Sequence, residues 1–416
     1  MTNSEENFLF YRGRPILLLS NSCWYLNHYR NCLINEIQKN NLKLIVMAPY
    51  DNTSIELSSK VFYIPWRVSR NKNFNLIVLF IAFLRLFFQI RALKPGIIHS
   101  HTLKPNLLAS IVSSLFGIPL VISFAGLGRL STMSGSNTIF LKIVLKLITF
   151  FSKIERYSRW KWKYNYQRTT MIFQNPGDLD LFRKIVGSSS KSLNLKLIYG
   201  SGVPKDYIDS SINLLSFGHN FKNKKINIVY CARLLKSKGI EIFISLAKHF
   251  PNINFNVYGE IDPFSNDSLT LEEVEKIKLE KNVIYHGFKK NPLLNHLKTP
   301  TILIVPSFYG EGLPRSIPEA MVLRIPVIAS LKACCGIFNK THLYQAYSND
   351  NTHYIKLLKK IINNFGKEEF INKLNISRDY AKENFSEEYI VNTTFDIYRQ
   401  FYDTNLIPYF ISRYKI

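Results

Sequence analysis

The stretch SFYGEGLPRSIPEAMVLRIPVIAS, residues 307–330, ends one apolar run, begins another, and holds Glu311 and Glu319 eight positions apart. The run before it, PTILIVPS (300–307), is short and almost wholly apolar, as a strand of a parallel sheet reads. A helix is expected from about Arg315, and PVIAS (326–330) reads as a strand again. Strand, glycine-flanked turn, helix and strand make one βαβ unit. Gly310, Glu311 and Gly312 then sit at the carboxyl end of a strand, where open α/β sheets bind ligands. Backbone N–H groups beside a helix N-terminus suit phosphate oxygens, so an anion is expected near Leu313 and Pro314. A glutamate in that setting would repel the anion unless it meets neutral hydroxyl donors, and sugar hydroxyls fit both Glu311 and Glu319. The plainer alternative is an acid at a helix start followed by a solvated helix glutamate.

The same alternation runs through the chain. Strand candidates before residue 203 are ILLLS (16–20), LKLIVMAP (42–49), VFYIP (61–65), GIIHSH (96–101), PLVISFAG (119–126), TTMIFQN (169–175) and LKLIYGSG (195–202). After a polar stretch without periodicity, SFGHNFKNKK (216–225), the pattern restarts with KINIVYCAR (225–233), INFNVYGE (253–260) and NVIYHGF (282–288). The reading is therefore α/β, two doubly wound domains, 1–215 and 216–386, facing a cleft between the carboxyl ends of their strands. A last helix is expected over SEEYIVNTTFDIYRQFYD, with Ser386 and Glu388 at its start and an apolar stripe at Tyr389, Val391, Phe395, Tyr398 and Phe401.

Composition narrows the function classes. Of 416 residues, 46% are hydrophobic and 20% charged, which suits ordinary globular cores. Lys and Arg number 54 against 29 acids, a net charge of +25, and residues 1–200 hold 26 basic and 8 acidic side chains. Such a bias points to polyanions or an anionic membrane surface. The five cysteines, Cys23, Cys32, Cys231, Cys334 and Cys335, show neither metal-ligand nor disulfide-framework spacing and read as reduced thiols of a cytosolic protein. FNLIVLFIAFLRLFFQIRALKP is interrupted by Arg85 and Arg91, so a buried or membrane-grazing helix is expected there rather than a spanning one.

A second cluster lies in CARLLKSKGIEIF. Arg233 ends a strand and Lys238-Gly239 opens the next helix, which brings two cations to one side of the second domain. A forked guanidinium and a mobile ammonium can together neutralise a departing diphosphate. ARLLKSKG, VYGEIDP, YHGF and PSFYGEGLPRSIPEAM together resemble the nucleotide-sugar domain of family-four retaining glycosyltransferases of the GT-B fold. In the first half, SNSCWYLNHYRNCLINEI, IIHSHTLKPNLLASIVSSLFGIPLVISFAGLGRL, FQNPGDLDLF and YGSGVP are similar to successive loops of the acceptor domain in bacterial polysaccharide members.

The resemblance implies that Glu311 contacts the transferred sugar and Glu319 the ribose, while Arg233 and Lys238 hold the diphosphate. Gly259, Gly287 and Phe288 would lie near base and ribose, Gly312, Leu313 and Pro314 near the donor phosphates, and Gly126 and Gly128 where the first domain approaches the donor. His101 is a candidate for acceptor contact or proton shuttling, with a structural strand-end histidine as the alternative, and Lys104 for phosphate binding. A C-terminal helix, 387–416, would cross back to the first domain. Ala125 stands where many relatives carry a histidine, so no side-chain base is assigned there. The segment SLKACCGIFNKTHLYQ also departs from the acidic, Gly-rich continuation of relatives.

The implied activity is retaining transfer of a hexosyl or N-acetylhexosaminyl group from a UDP-linked donor to a glycan or polyprenyl-diphosphate-linked acceptor, in synthesis of bacterial surface polysaccharide such as O-antigen or capsule. The donor is the one nucleotide required; no cofactor, metal or nucleic-acid partner is expected. The stretch 129–168, with Trp160 and Trp162 among its cations, suits an anionic membrane and a peripheral position on the cytoplasmic face. A noncatalytic membrane-associated subunit of this fold, or a sugar-nucleotide epimerase, would share the architecture.

Overall fold

The structure, a computed structural model, describes residues 13–68, 75–127, 136–157, 169–210, 226–263, 265–309, 312–347 and 350–402. In chain order the first half runs β1 (Ile16–Leu19), α1 (Cys23–Tyr29), α2 (Asn31–Lys39), β2 (Leu44–Ala48), α3 (Ser54–Ser58), β3 (Phe62–Pro65) and α4 (Leu76–Leu93). It continues with β4 (Ile97–His101), α5 (Leu103–Phe116), β5 (Leu120–Phe124), α6 (Ser136–Tyr157), β6 (Thr169–Phe173), α7 (Pro176–Val186) and β7 (Asn194–Leu197). These strands form one parallel sheet in the order β3-β2-β1-β4-β5-β6-β7. Its central strands are buried throughout, which is why they read as unbroken apolar runs. Alternate residues feed opposite faces: Leu17 and Leu19 join the core beneath α4, α5 and α6, whereas Ile16 and Leu18 join the core beneath α1 and α2.

The second half runs α8 (Lys205–Asp209), β8 (Asn227–Cys231), α9 (Ile240–His249), β9 (Asn254–Tyr258), α10 (Leu271–Lys278), β10 (Val283–Gly287), β11 (Thr301–Val305), α11 (Ser316–Val322), β12 (Val327–Ser330), β13 (Tyr344–Ala346), α12 (Asn351–Asn364) and α13 (Glu368–Phe385). Its sheet is parallel in the order β10-β9-β8-β11-β12-β13. Strand order reverses between β1 and β4 in one sheet and between β8 and β11 in the other, the crevices where such sheets take ligands. The linker expected at 216–225 lies outside the described residues; ahead of it, Val203 and Tyr207 already pack into the second core.

The closing helix α14 (Glu387–Tyr402) does cross back. Ser386 Oγ accepts from Tyr389 N–H at 3.2 Å at its start, and Ile390, Val391, Phe395, Ile397, Tyr398 and Phe401 complete the core beneath α1 and α2. Tyr389, expected in the buried stripe, is exposed, and Ile390 takes its place. Residues 403–416 of the expected helix lie outside the described residues.

The apolar segment at 76–93 corrects half of its expectation. Asn75 caps it by accepting from Ile77 and Val78 N–H groups, and Ala82, Leu86 and Ile90 face the core, but most of its large apolar side chains are exposed. A four-residue repeat of buried positions covers one narrow side of a helix, and this sequence is apolar all round.

Candidate active site

Three strand ends of the second sheet are packed backbone to backbone. Gly239, φ +76°, starts α9, and a Cβ there would lie 2.3 Å from the Pro306 carbonyl oxygen. Gly259, φ +147°, would place a Cβ 1.9 Å from the Ala232 carbonyl oxygen. Phe308 N–H donates to Ser237 O at 3.1 Å, so the loop after β8 is tied to the loop after β11. These approaches hold Arg233 and Lys238 together at the reversal of strand order.

Arg233 forms an ion pair with the buried carboxylate of Asp262, which fixes the guanidinium while almost half of the side chain stays exposed. Lys238 Nζ stands 5.2 Å above the Tyr309 ring. Both cations act across the cleft on Tyr29 of α1: burial pushes its hydroxyl above the usual range, and the charges of Arg315, Arg233 and Lys238 pull it down. The pair inferred from CARLLKSKG therefore faces the first sheet.

Glu319, in the first turn of α11, is buried, and burial raises its carboxyl against the pull of Arg315. Arg315 Nε is 2.7 Å from Glu319 Oε1, an ion contact, and its Nη1 donates to the His28 carbonyl oxygen at 2.9 Å. Arg315 also stands 3.8 Å from Glu387 at the start of α14. From sequence Glu319 is expected against a sugar ring, and Arg315 has no expected role. Its spacing of four from Glu319 on one helix face was the available signal.

Gly312 meets the first domain directly. A Cβ on Gly312 would lie 2.7 Å from Gln174 Oε1 and 2.8 Å from the Ala125 carbonyl oxygen, while Asn175 Nδ2 donates to Gly312 O at 2.7 Å. Asn175 also caps α7 through its Oδ1, which accepts from Asp178 N–H at 2.7 Å. Asp178 Oδ2 in turn accepts from Leu127 N–H at 3.0 Å and secures the loop in which Gly126 adopts φ +114°. Glu311, Gly310 and Gly128 lie outside the described residues. Leu313 packs toward Gly200, where a Cβ would come within 2.9 Å of Leu313 Cδ2, and Pro314 leads into α11.

Gly287 has φ +65° with open space where a side chain would stand. The next residue, Phe288, meets Trp24 and His28 edge to face, with centroids at 6.5 and 5.8 Å. His101 ends β4 as expected but is fully buried, with its ring 4.2 Å from that of His99 and 5.7 Å from Tyr25. Burial holds it well below the usual histidine range, so the ring is neutral, and both its nitrogens lack a hydrogen-bond partner among the described residues. Next to it Thr102 has φ +72°, an uncommon backbone for a β-branched residue. Lys104, at the start of α5, is buried, which lowers its ammonium. The segment 331–345 is folded onto the second core through Ala333, Cys334, Phe338 and Leu343.

Residues 15–175 match the Glycosyl transferase 4-like family and residues 211–372 the Glycosyl transferases group 1 family. Both halves carry glycosyltransferase-family domains on a GT-B fold. Sucrose-phosphate synthase of Thermosynechococcus elongatus superposes with a TM-score of 0.71 at 16% identity, covering 94% of this chain and 99% of that one. Anabaena Alr3699/HepE in complex with UDP-glucose superposes at 0.67 and 17% identity, covering 92% and 99%. The uncharacterized glycosyltransferase MJ1059 of Methanocaldococcus jannaschii is 30% identical over 159 residues, 36% of this chain, and the match spans 37% of that relative's length. In these two glycosyltransferase-family domains, Gly312, Asn175 and Gln174 mark where one closes on the other.

Proposed function

We propose that the protein moves a hexosyl or N-acetylhexosaminyl group from a UDP-linked donor to a hydroxyl of a glycan or polyprenyl-diphosphate-linked acceptor, with retention at the anomeric carbon, in bacterial surface polysaccharide synthesis. The observation that carries the reading is the placement of Arg233, paired with Asp262, and Lys238, above the Tyr309 ring, on closely packed strand ends where the strand order of the second sheet reverses. The complexes of Anabaena Alr3699/HepE with UDP and with UDP-glucose support the choice of donor class. In the transfer, negative charge grows on the diphosphate as the glycosidic bond breaks, and positive charge grows on the sugar ring. Fixed cations in a site closed to water stabilise the former most. Asp262 orients the Arg233 guanidinium, and Lys238 adds a point charge above the Tyr309 ring. The leaving phosphate oxygen accepts the proton of the attacking hydroxyl on the same face, which removes the need for a side-chain base at Ala125. Glu311 is assigned to hydroxyls of the transferred sugar and Glu319 to the ribose; for the latter, Arg315 holds the carboxylate in place.

The test is turnover of a panel of nucleoside diphosphate sugars by the purified chain, with release of UDP as the readout. One UDP-linked donor should stand out, and absence of turnover across the panel would overturn the reading. Lys238→Ala and Glu311→Ala should each lower turnover by about a hundredfold or more with unchanged thermal midpoints. Turnover should persist in excess EDTA, since cationic side chains neutralise the diphosphate; loss restored by magnesium or manganese would refute that part.

A further inference from the structure

We propose that the exposed apolar side of α4, together with the exposed, lysine-lined apolar stripe of α6 on the same face of the sheet, seats the protein on an anionic lipid bilayer without crossing it. On α4, Leu76 is 74% exposed, Ile77 70%, Phe80 60%, Ile81 59% and Phe88 62%. So many large apolar side chains on one surface helix exceed what a monomer ordinarily leaves in water. Among the described residues, α4 is the one helix long and apolar enough to cross a membrane. Yet Ala82, Leu86 and Ile90 are locked into the core, so lipid cannot surround the helix. The geometry that satisfies both facts is a helix lying in the interface, its outer side among acyl chains.

The surface continues on the same face of the sheet. Both α4 and α6 cover the core beneath Leu17 and Leu19, with α5 between them, and Phe87 of α4 meets Phe116 of α5 at 5.0 Å. On α6, Ile139, Ile143, Leu147, Phe150 and Ile154 are exposed at spacings of three and four, and Lys142 and Lys146 are exposed beside them. An apolar stripe lined by lysines is the pattern that combines acyl burial with attraction to anionic headgroups. The 26 basic and 8 acidic side chains of residues 1–200 extend that attraction. The same charge argues against a second copy as the occupant, because a twofold contact through this face would oppose two equally positive surfaces.

Orientation follows from topology. Since α4 follows β3 and α6 follows β5, the N-terminal ends of both helices lie at the carboxyl edge of the sheet, where the cleft opens. The two most exposed apolar residues of α4, Leu76 and Ile77, are at that end, with Phe80 and Ile81 one turn further along. Seating them in a bilayer brings the cleft mouth to the membrane surface.

The experiment is co-sedimentation of the full chain with vesicles of phosphatidylcholine alone and with vesicles containing phosphatidylglycerol, across a salt series. The chain should bind anionic vesicles in preference, with added salt weakening but not abolishing the binding. The double variant F80S/I81S, at exposed positions outside the cleft, should reduce binding by about tenfold or more with an unchanged thermal midpoint and unchanged UDP release. K142E/K146E should remove the preference for anionic vesicles. Binding to neither vesicle type, or equal binding of F80S/I81S and the parent, overturns the proposal. So does self-association in solution that F80S/I81S abolishes without any vesicle binding. Because UDP release is read separately, failure of docking is distinct from failure of the transferase reading.

Discussion

Gly259 and Gly287 end neighbouring strands of the second sheet, and a methyl group would cost them different amounts. At Gly259 both the backbone, φ +147°, and the Ala232 carbonyl exclude a Cβ, and the obstructing atom is backbone that cannot rotate away. Gly259→Ala is expected to destabilise the fold by about 3 kcal/mol or more, from backbone strain plus overpacking. At Gly287 the space is open, and the cost is that of a left-handed non-glycine residue, about 1 to 2 kcal/mol. Urea midpoints of the two variants check this, and equal midpoints would show that the close approach at Gly259 is soft. The sequence marked both glycines through their place in VYGEIDP and YHGF but could not rank them, because the Ala232 carbonyl is brought to Gly259 by strand pairing rather than by adjacency in the chain.

At the scale of elements, α7 links helix capping to cleft closure through one side chain. Asn175 accepts from Asp178 N–H with its oxygen and donates with its nitrogen to both Asp178 Oδ2 and the Gly312 carbonyl. Replacement by serine keeps a capping oxygen and removes the donor across the cleft, whereas alanine removes both. Asn175→Ser should therefore lower stability by about 1 kcal/mol, through loss of the buried bond to Asp178 Oδ2, and lower turnover up to about tenfold, the value of one neutral hydrogen bond. Asn175→Ala should add about 1 kcal/mol of destabilisation. Comparing turnover with the urea midpoint in each variant checks the division, and a serine variant with full turnover would remove Asn175 from cleft closure. Helix starts of this kind carry a local signal: Ser386 is read as one from sequence, and Asn175-Pro176 bears the same capping signature. The hydrogen bond of Asn175 to Gly312 was not legible, since its partner is 137 positions away and depends on how the two sheets face each other. The strands were legible for a related reason. Burial on both faces leaves continuous apolar runs such as ILLLS and TILIV, and the α4 run shows the limit of that signal, because apolarity does not say whether protein or lipid covers a helix.

Across the whole molecule, Arg315 joins three parts: α11 through Glu319, the first domain through the His28 carbonyl, and α14 through Glu387. Two parallel sheets facing a cleft followed from the order of strands and helices, but this junction needed coordinates, because it gathers residues from opposite ends of the chain. Its energetics are testable through pH. Burial raises both Glu319 and Glu387, and Arg315 pulls both down. Arg315→Met keeps most of the side-chain volume and removes the charge, leaving two carboxylates in the interface without their cation. Breaking a buried pair in this way costs about 3 to 5 kcal/mol near neutral pH. The sign of the pH dependence follows from linkage: without Arg315 the folded-state values of both carboxyls rise further above their unfolded values. The folded variant then holds protons that the unfolded chain releases, so its deficit is full at high pH and shrinks as pH falls through the raised folded values. The neutral buried histidines, His99 and His101, add an opposite, acid-destabilising contribution, since they lie well below the usual range and must charge on unfolding. That contribution is present in parent and variant alike and cancels in their difference. Urea unfolding of both proteins at pH 8 and pH 5.5 should thus show a stability gap that narrows at the lower pH. A gap of constant size would mean that Arg315 contributes packing and the His28 hydrogen bond alone, with no part in holding the two carboxylates ionised.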